Sequence, residues 1–164
     1  MTTKDYRTRT PLRIFISYFR PHWKLFVLDM ACALGIALID LAFPMISRTA
    51  MYEWLPDKEY GIFFAVMAAV LLIFVLRAFL YFVVCYWGHT FGIRVEADIR
   101  RDLFHHMQDM GFEFYDKNRT GQLMSRLTTD LFEVTELAHH GPEDLFISIV
   151  TIIGALIAMF RLQW

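Results

Sequence analysis

Three ionisable residues lie inside long apolar stretches of this sequence, and their chemistry needs an explanation first. Asp29 and Asp40 fall in one stretch, and Arg77 falls in the next. A charged side chain in an apolar environment is costly unless it has a partner of opposite charge, so such residues indicate ion pairs or functional sites. An aspartate and an arginine can form a hydrogen-bonded pair in which the two charges neutralise each other.

The spacing of these residues predicts which charges meet if the two stretches form an antiparallel hairpin. Setting Ser47 level with Ile62, at the two ends of the intervening polar loop, places Asp29 about three residues, or roughly 4.5 Å of helix rise, from the level of Arg77. We therefore predict an Asp29–Arg77 ion pair near the inner leaflet. The alternative is that Asp29 extends to the interface and Arg77 binds backbone carbonyls. Asp40 is far from Arg77 in this register, so we expect it to face a cavity or another helix, as a candidate for the transport pathway.

The histidines and cysteines do not form a pattern typical of a metal site or a disulfide framework. Adjacent residues point about 100° apart on a helix, so a pair of neighbouring histidines chelates poorly. Both cysteines fall in apolar runs, which argues against a zinc ribbon or a disulfide scaffold. We expect no metal site from these residues, which are His105, His106, His139, His140, Cys32 and Cys85.

The elements that must position the charges are three apolar stretches. Leu25–Ile46, Ile62–Trp87 and Leu145–Phe160 are each apolar enough to enter a membrane, and about 20 residues of helix cross its hydrocarbon core. Apolar residues make up 57% of the 164-residue chain and charged residues 20%, which excludes a disordered chain. The net charge of −1 lacks the basic excess of a nucleic-acid-binding protein. The sequence therefore predicts an all-α membrane protein whose partner is the lipid bilayer, with no nucleic acid.

The distribution of lysine and arginine predicts the orientation of these spans. Residues 1–24 contain six of them, the long connection Gly88–Asp144 contains six, and the short connection Ser47–Gly61 contains two. Loops rich in lysine and arginine stay in the cytoplasm. We therefore expect the N-terminus and the long connection to be cytoplasmic, and the short connection to be external.

The polar segments have helical patterns of their own. Thr10 and Pro11 can begin a short helix that Pro21 ends, and its mixture of apolar residues and arginines is typical of a helix in the membrane interface. The predicted organisation is a cytoplasmic N-terminus with this elbow helix (1–24), a first span (25–47), an external loop (48–61), a second span (62–87), a cytoplasmic helical hairpin (88–144) and a third span (145–164).

Within the hairpin, two helices extend the second and third spans into the cytoplasm. Apolar spacing from Ile93 predicts a helix that ends at Gly111, and steps of three and four from Leu123 to Ala138 predict another. This second helix leads into the third span through a kink at Gly141-Pro142. Residues 112–121 form a short polar break with aromatic residues, which we call the tip. Two stiff helices joined by such a tip could dock a partner and carry its movement to the membrane.

One motif in this region is similar to a known family. From Phe114 to Asp130 the sequence has an aromatic pair, polar residues, Thr-Gly, an aliphatic pair, Ser-Arg-Leu, two further residues and Asp. This order resembles the first intracellular loop of ABC exporters. Ile99–Met107 resembles the end of the second transmembrane helix of that family, Leu12–Arg20 resembles its elbow helix, and Arg161–Trp164 resembles its junction into the fourth helix.

The resemblance implies a function that these residues do not perform alone. Subunits of the family have six spans and usually a nucleotide-binding domain, and they work as homo- or heterodimers in the bacterial plasma membrane. This sequence has three spans, and none of its glycines is followed by the lysine that a phosphate-binding loop needs. We interpret it as the first half of an exporter transmembrane domain, without the nucleotide-binding domain, exporting an amphipathic drug, lipid or peptide.

The resemblance also implies where the ATPase domains are contacted. We expect no cofactor on this chain, with ATP and Mg bound elsewhere in the intact transporter. The coupling helix, which meets the nucleotide-binding domains, is expected within Phe114, Tyr115, Asp116, Lys117, Asn118, Arg119, Thr120 and Gly121.

Two other interpretations stay open at the level of sequence. A stand-alone enzyme resembling bacterial diacylglycerol kinase would also have an interfacial helix and three spans, but that family lacks a long helical insertion and its catalytic carboxylates have no counterpart here. A small membrane adaptor could instead use the hairpin to bind a soluble protein.

Overall fold

A computed structural model describes residues 10–162, and the side chains of His139 and Leu162 are outside that description. The described chain is helical, with no strands between residues 10 and 162. Its elements in order are α1 (Pro11–Ser17), a 3₁₀ turn (Arg20–His22), α2 (Trp23–Thr49) with a π-helical turn (Ala50–Trp54), α3 (Tyr60–Val83), a π-helical segment (Val84–Gly88), α4 (His89–Gln108), α5 (Phe112–Lys117), α6 (Thr120–Ser125), a second π-helical segment (Arg126–Asp130) and α7 (Leu131–Leu162).

Three helical stretches are long and apolar enough to cross a membrane: Pro11–Trp54, Tyr60–Gln108 and Thr120–Arg161. This confirms the all-α membrane fold with three spans. Each stretch is much longer than a bilayer requires, because polar helix continues beyond the apolar residues in each of them. The basic residues Lys4, Arg7 and Arg9 and the predicted junction at Gln163-Trp164 lie outside the described residues.

The start of the chain differs in detail from its sequence pattern. Pro11 does occupy the first turn of α1, where its missing N–H has no helical acceptor. Thr10 makes no side-chain cap, and its carbonyl instead accepts backbone hydrogen bonds from Arg13 and Ile14. The helix ends at Ser17, before Pro21, which lies in the following 3₁₀ turn.

The two polar helices also end elsewhere than predicted. α4 ends at Gln108, and Gly111 has extended backbone immediately before α5 rather than ending α4. Pro142 lies inside α7, which continues through it as one helix to Leu162. A proline is tolerated inside a helix when its surroundings satisfy the backbone groups that it frees.

The chain divides into two units. The apolar unit comprises residues 28–87 and 143–162 of the described chain. Its core is formed by small side chains at the contact of α2 with α3, where Ala33 is completely buried. Small residues let membrane helices approach closely, which increases van der Waals contact. The buried residues of this core are Cys32, Ala33 and Val84. Four partly buried side chains pack around them: Ile36, Leu80, Val83 and Ile147.

The polar unit comprises residues 10–27 and 88–142. Phe91 is completely buried at its centre, with the rings of Phe19 and Phe26 at 5.0 and 5.5 Å. Around this aromatic cluster, the Tyr18 hydroxyl donates a hydrogen bond of 2.8 Å to Asp102 of α4. His22 lies 2.9 Å from Asp98 of the same helix. The elbow segment is therefore held on α4 by aromatic packing and polar contacts together.

Gly154 permits the close contact between α7 and α2. A Cβ atom at Gly154 would lie 2.4 Å from Cδ1 of Leu41 and 3.3 Å from its Cδ2. We expect Gly154→Val to lower the free energy of unfolding by about 1–3 kcal/mol, the usual cost of overpacking. Thermal unfolding of the purified protein measures this loss. Gly61→Val is the matched control, because a Cβ at Gly61 meets nothing within 4 Å, and an equal loss in both variants would contradict the prediction.

Candidate functional site

The tip contains a short helix, α5, which is held in place by hydrogen bonds. The Tyr115 hydroxyl donates a hydrogen bond to the carbonyl of Met107 in α4. The Asn118 side-chain amide donates to the carbonyl of Phe114 at 2.8 Å, and its backbone N–H donates to the same oxygen at 3.1 Å. A six-residue helix has little stability of its own. The Tyr115 bond therefore holds α5 on α4, and the Asn118 bonds close the C-terminal end of α5.

The eight residues predicted for the coupling site separate into two groups. Phe114 and Asn118 are half-buried, and the Phe114 ring lies 5.4 Å from the Tyr115 ring in an edge-to-face contact. These three side chains position the helix. The remaining five are exposed and available to a partner: Asp116, Lys117, Arg119, Thr120 and Gly121.

Lys117 contributes little to the position of the tip. It forms an ion pair with Glu113 one helical turn earlier, and both side chains are largely exposed. Such a surface pair is worth roughly 0–1 kcal/mol. Lys117 is therefore free to exchange Glu113 for an acidic group of a partner at small cost.

Phe112 is a tip residue that the predicted coupling segment omitted. It begins α5 and is 91% exposed. A ring exposed to this extent is accessible to another protein, and aromatic rings are enriched among the residues that contribute most to protein interfaces. The sequence signal was present, since Phe112 starts the polar break, but it cannot separate an exposed ring from the half-buried Phe114 two residues later.

The helices on either side of the tip are also fixed to each other. The Arg100 guanidinium of α4 donates a hydrogen bond of 3.0 Å from Nε to the carbonyl of Leu127, and its Nη2 binds Glu96. Leu123 and Leu127 are buried beside this contact. The hydrogen bond of Arg100 and the burial of these leucines therefore hold the two helices together beside the tip.

In the apolar unit, Arg77 forms a bidentate ion pair with Asp40. Arg77 Nε donates to Asp40 Oδ1 at 2.7 Å, and Arg77 Nη2 donates to Asp40 Oδ2 at 2.8 Å. The predicted Asp29–Arg77 pair is thus wrong, and Asp40, which was predicted not to contact Arg77, is its partner. Both side chains are only partly covered, 34% of Arg77 and 46% of Asp40 remaining exposed.

The register of the hairpin explains this correction. The polar residues after Ser47 do not leave the helix, which continues to Trp54 and turns only before Tyr60. The rings of Phe43 and Phe74 contact each other edge to face at 5.2 Å. Phe43 lies three residues after Asp40 and Phe74 three residues before Arg77, so this contact has the same register as the ion pair. Asp29 then lies eleven residues, or about 16 Å of helix rise, from the level of Arg77.

Asp29 has a different environment from Asp40. Its side chain is 1% exposed, the lowest of the charged residues in the described chain. It belongs to the same unit as the buried Glu143, which is 8% exposed. The two carboxyl groups are therefore buried features of the apolar unit and do not take part in the Arg77 pair.

Asp40 also borders a cavity of about 320 Å³ between α2 and α7. The walls are apolar, formed by Leu41, Pro44 and Met45 on one side and by Ala155, Ala158 and Met159 on the other. Arg48 lines the cavity two helical turns beyond Asp40. Within residues 10–162, no group of three or more His, Cys, Asp or Glu side chains could hold a metal ion.

Comparison with known proteins gives a consistent result. Residues 25–164 match the model of the ABC transporter transmembrane region. The chain is 44% identical, over 93% of its length, to the uncharacterised ABC transporter ATP-binding protein YwjA of Bacillus subtilis. It is 27% identical, over 96% of its length, to an ATP-dependent lipid A-core flippase of Idiomarina loihiensis.

The chain spans 27% of the length of each of these two relatives. The match lies in the membrane region, and the relatives are transporters or flippases that use ATP. Membrane-spanning helices and this similarity together indicate an integral membrane protein. The chain belongs to the family of ABC transporter transmembrane regions.

Proposed function

We propose that this chain lines part of the translocation pathway of an ATP-driven exporter and couples it to the ATPase domains through the tip. The transported compound is an amphipathic drug, lipid or peptide. In this proposal the N-terminus and the tip are cytoplasmic, and a second subunit completes the pathway. ATP and Mg bind to nucleotide-binding domains, because these 164 residues contain no phosphate-binding loop.

The observation that carries this proposal is the exposure of Phe112 on a tip held in place by hydrogen bonds. An exposed aromatic ring becomes a strong contact when it enters a pocket of a partner and loses its water. The bonds of Tyr115 and Asn118 keep the tip ordered before docking, so little conformational entropy is lost on binding. The exposed charged residues Asp116 and Arg119 belong to the same tip and would orient the contact.

Photo-crosslinking tests this contact directly. The intact transporter is prepared with p-benzoylphenylalanine at position 112 and irradiated with and without ATP. The matched control carries the same group at position 132, where Phe132 is 55% exposed on α7. We expect crosslinks to the nucleotide-binding domain from position 112 only. Absence of that crosslink, or equal crosslinking from both positions, would refute the proposed interface.

A second prediction concerns ATP hydrolysis by these residues alone. Without the backbone cradle and lysine that hold nucleotide phosphates, the purified 164-residue chain should show no Mg-dependent turnover above a heat-denatured sample. A phosphate-release assay measures this. Turnover that requires Mg and survives repeated purification would show a nucleotide site in this chain.

A further inference from the structure

The contacting faces of α2 and α7 place two arginines at one level. The helices run in the same direction, because Leu41 meets Gly154 and Ala33 lies in the cluster that Ile147 packs against. Arg48 lies seven residues after Leu41, and Arg161 lies seven residues after Gly154. Seven residues are two turns and return to nearly the same face of a helix. Arg48 and Arg161 therefore lie on the contacting faces of α2 and α7, at the same level along the two helices.

This height corresponds to the membrane interface. In the observed register, Asp40 of α2 is level with Arg77 of α3. The apolar stretches Leu25–Ile46 and Ile62–Trp87 then lie side by side over residues 30–46 of α2. The middle of the overlap is near residue 38. Arg48 is ten residues from it, or roughly 15 Å of helix rise, and half of a hydrocarbon core is also about 15 Å. Arg161 directly follows the last apolar residue of the third stretch, which agrees with the same depth.

Two arginines at this end of the α2–α7 contact have no partner among the described residues. Asp40 is neutralised by the two hydrogen bonds from Arg77. Arg48 and Arg161 are exposed, and neither forms a hydrogen bond or ion pair with another described residue. Two guanidinium groups beside an apolar cavity are complementary to a ligand with an anionic head and an apolar tail.

We propose that the α2–α7 cavity is a binding site for an anionic amphipath such as a phosphate-bearing lipid. The head group contacts Arg48 and Arg161 at the interface, where guanidinium groups bind phosphate oxygens in charge-assisted pairs. The hydrocarbon tail occupies the apolar cavity, between Pro44 on one wall and Ala158 on the other. The cavity volume of about 320 Å³ lies at the lower limit of small-molecule sites and suits one chain rather than a whole lipid. The site requires only that the chain spans a bilayer, so it does not depend on coupling to ATP.

Native mass spectrometry of the intact protein in detergent tests this site. The probes are phosphatidylglycerol, phosphatidylcholine and inorganic phosphate, and the variants are Arg48→Gln/Arg161→Gln and the control Arg126→Gln. Arg126 is an exposed arginine of the polar unit. We expect the double variant to bind phosphatidylglycerol at least about tenfold more weakly, because hydrogen bonds to charged groups are strong. The control should bind as the unchanged protein does.

Two further variants separate the head group from the tail. Arg48→Lys/Arg161→Lys keeps both charges and should retain most of the binding, which also guards against a folding defect in the glutamine variant. Ala158→Leu fills the cavity and should weaken phosphatidylglycerol binding. Binding that is unchanged in the double glutamine variant, or unchanged in Ala158→Leu, overturns the proposal. Competition by inorganic phosphate as strong as that by phosphatidylglycerol would identify a free-anion site instead, and preference for phosphatidylcholine would exclude recognition of negative charge.

Discussion

Replacement of Arg77 by glutamine is expected to destabilise the membrane hairpin by about 3 kcal/mol, because it leaves the Asp40 charge without its partner near the middle of the apolar layer. Asp40→Asn should have a similar effect by leaving Arg77 unpaired. The double variant should cost clearly less than the two single variants added together, since neither charge remains. Thermal unfolding of the purified protein and its yield in the membrane fraction measure these losses.

Two controls make the interpretation of this cycle specific. Arg77→Lys keeps the charge but cannot form the two-pronged contact, so its loss should be intermediate. Asp57→Asn removes an exposed acidic side chain in the short connection and should change stability by less than about 0.5 kcal/mol. Strict additivity of Asp40→Asn and Arg77→Gln would show that the two residues do not stabilise each other.

Phe112→Ala is expected to reduce transport by the intact exporter strongly while ATP hydrolysis continues. Truncation of a central aromatic contact typically costs about 2 kcal/mol or more, or roughly 30-fold in docking affinity. Loss of the ring should therefore uncouple the membrane helices from the ATPase domains. Transport into proteoliposomes and ATPase activity, measured on the same preparation, give the ratio that reports coupling.

The other tip residues provide graded comparisons. Asp116→Ala should also uncouple transport, and the double variant Tyr115→Ala/Asp116→Ala should do so more strongly, because it additionally removes the bond that holds α5 to Met107. Lys117→Gln breaks an exposed ion pair and removes one charge that a partner could bind, so it should reduce coupling much less than Phe112→Ala does. Transport that persists unchanged in the Tyr115→Ala/Asp116→Ala variant would remove the tip from the coupling path.

The tip illustrates how far a motif can predict a site. The order of residues from Phe114 to Gly121 predicts one continuous coupling segment, because spacing along the chain brings neighbours together whatever the tertiary structure. It could not predict that Tyr115 points back to Met107 or that Phe112 is almost fully exposed. Those facts depend on how the six-residue helix α5 folds back onto the end of α4.

The helical class, the three spans and the resemblance to ABC transporters can be recognised from the order of residues alone. Hydropathy and helical periodicity are local properties, so a stretch such as Ile62–Trp87 is recognisable without knowledge of its neighbours. Which charges meet depends instead on how the helices pack. The hairpin register depends on whether the polar residues 47–54 remain helical and on the packing of Phe43 against Phe74. The helical continuation past Ser47 moved the partner of Arg77 from Asp29 to Asp40, since each residue of shift displaces the facing level by about 1.5 Å and rotates the side chain by about 100°.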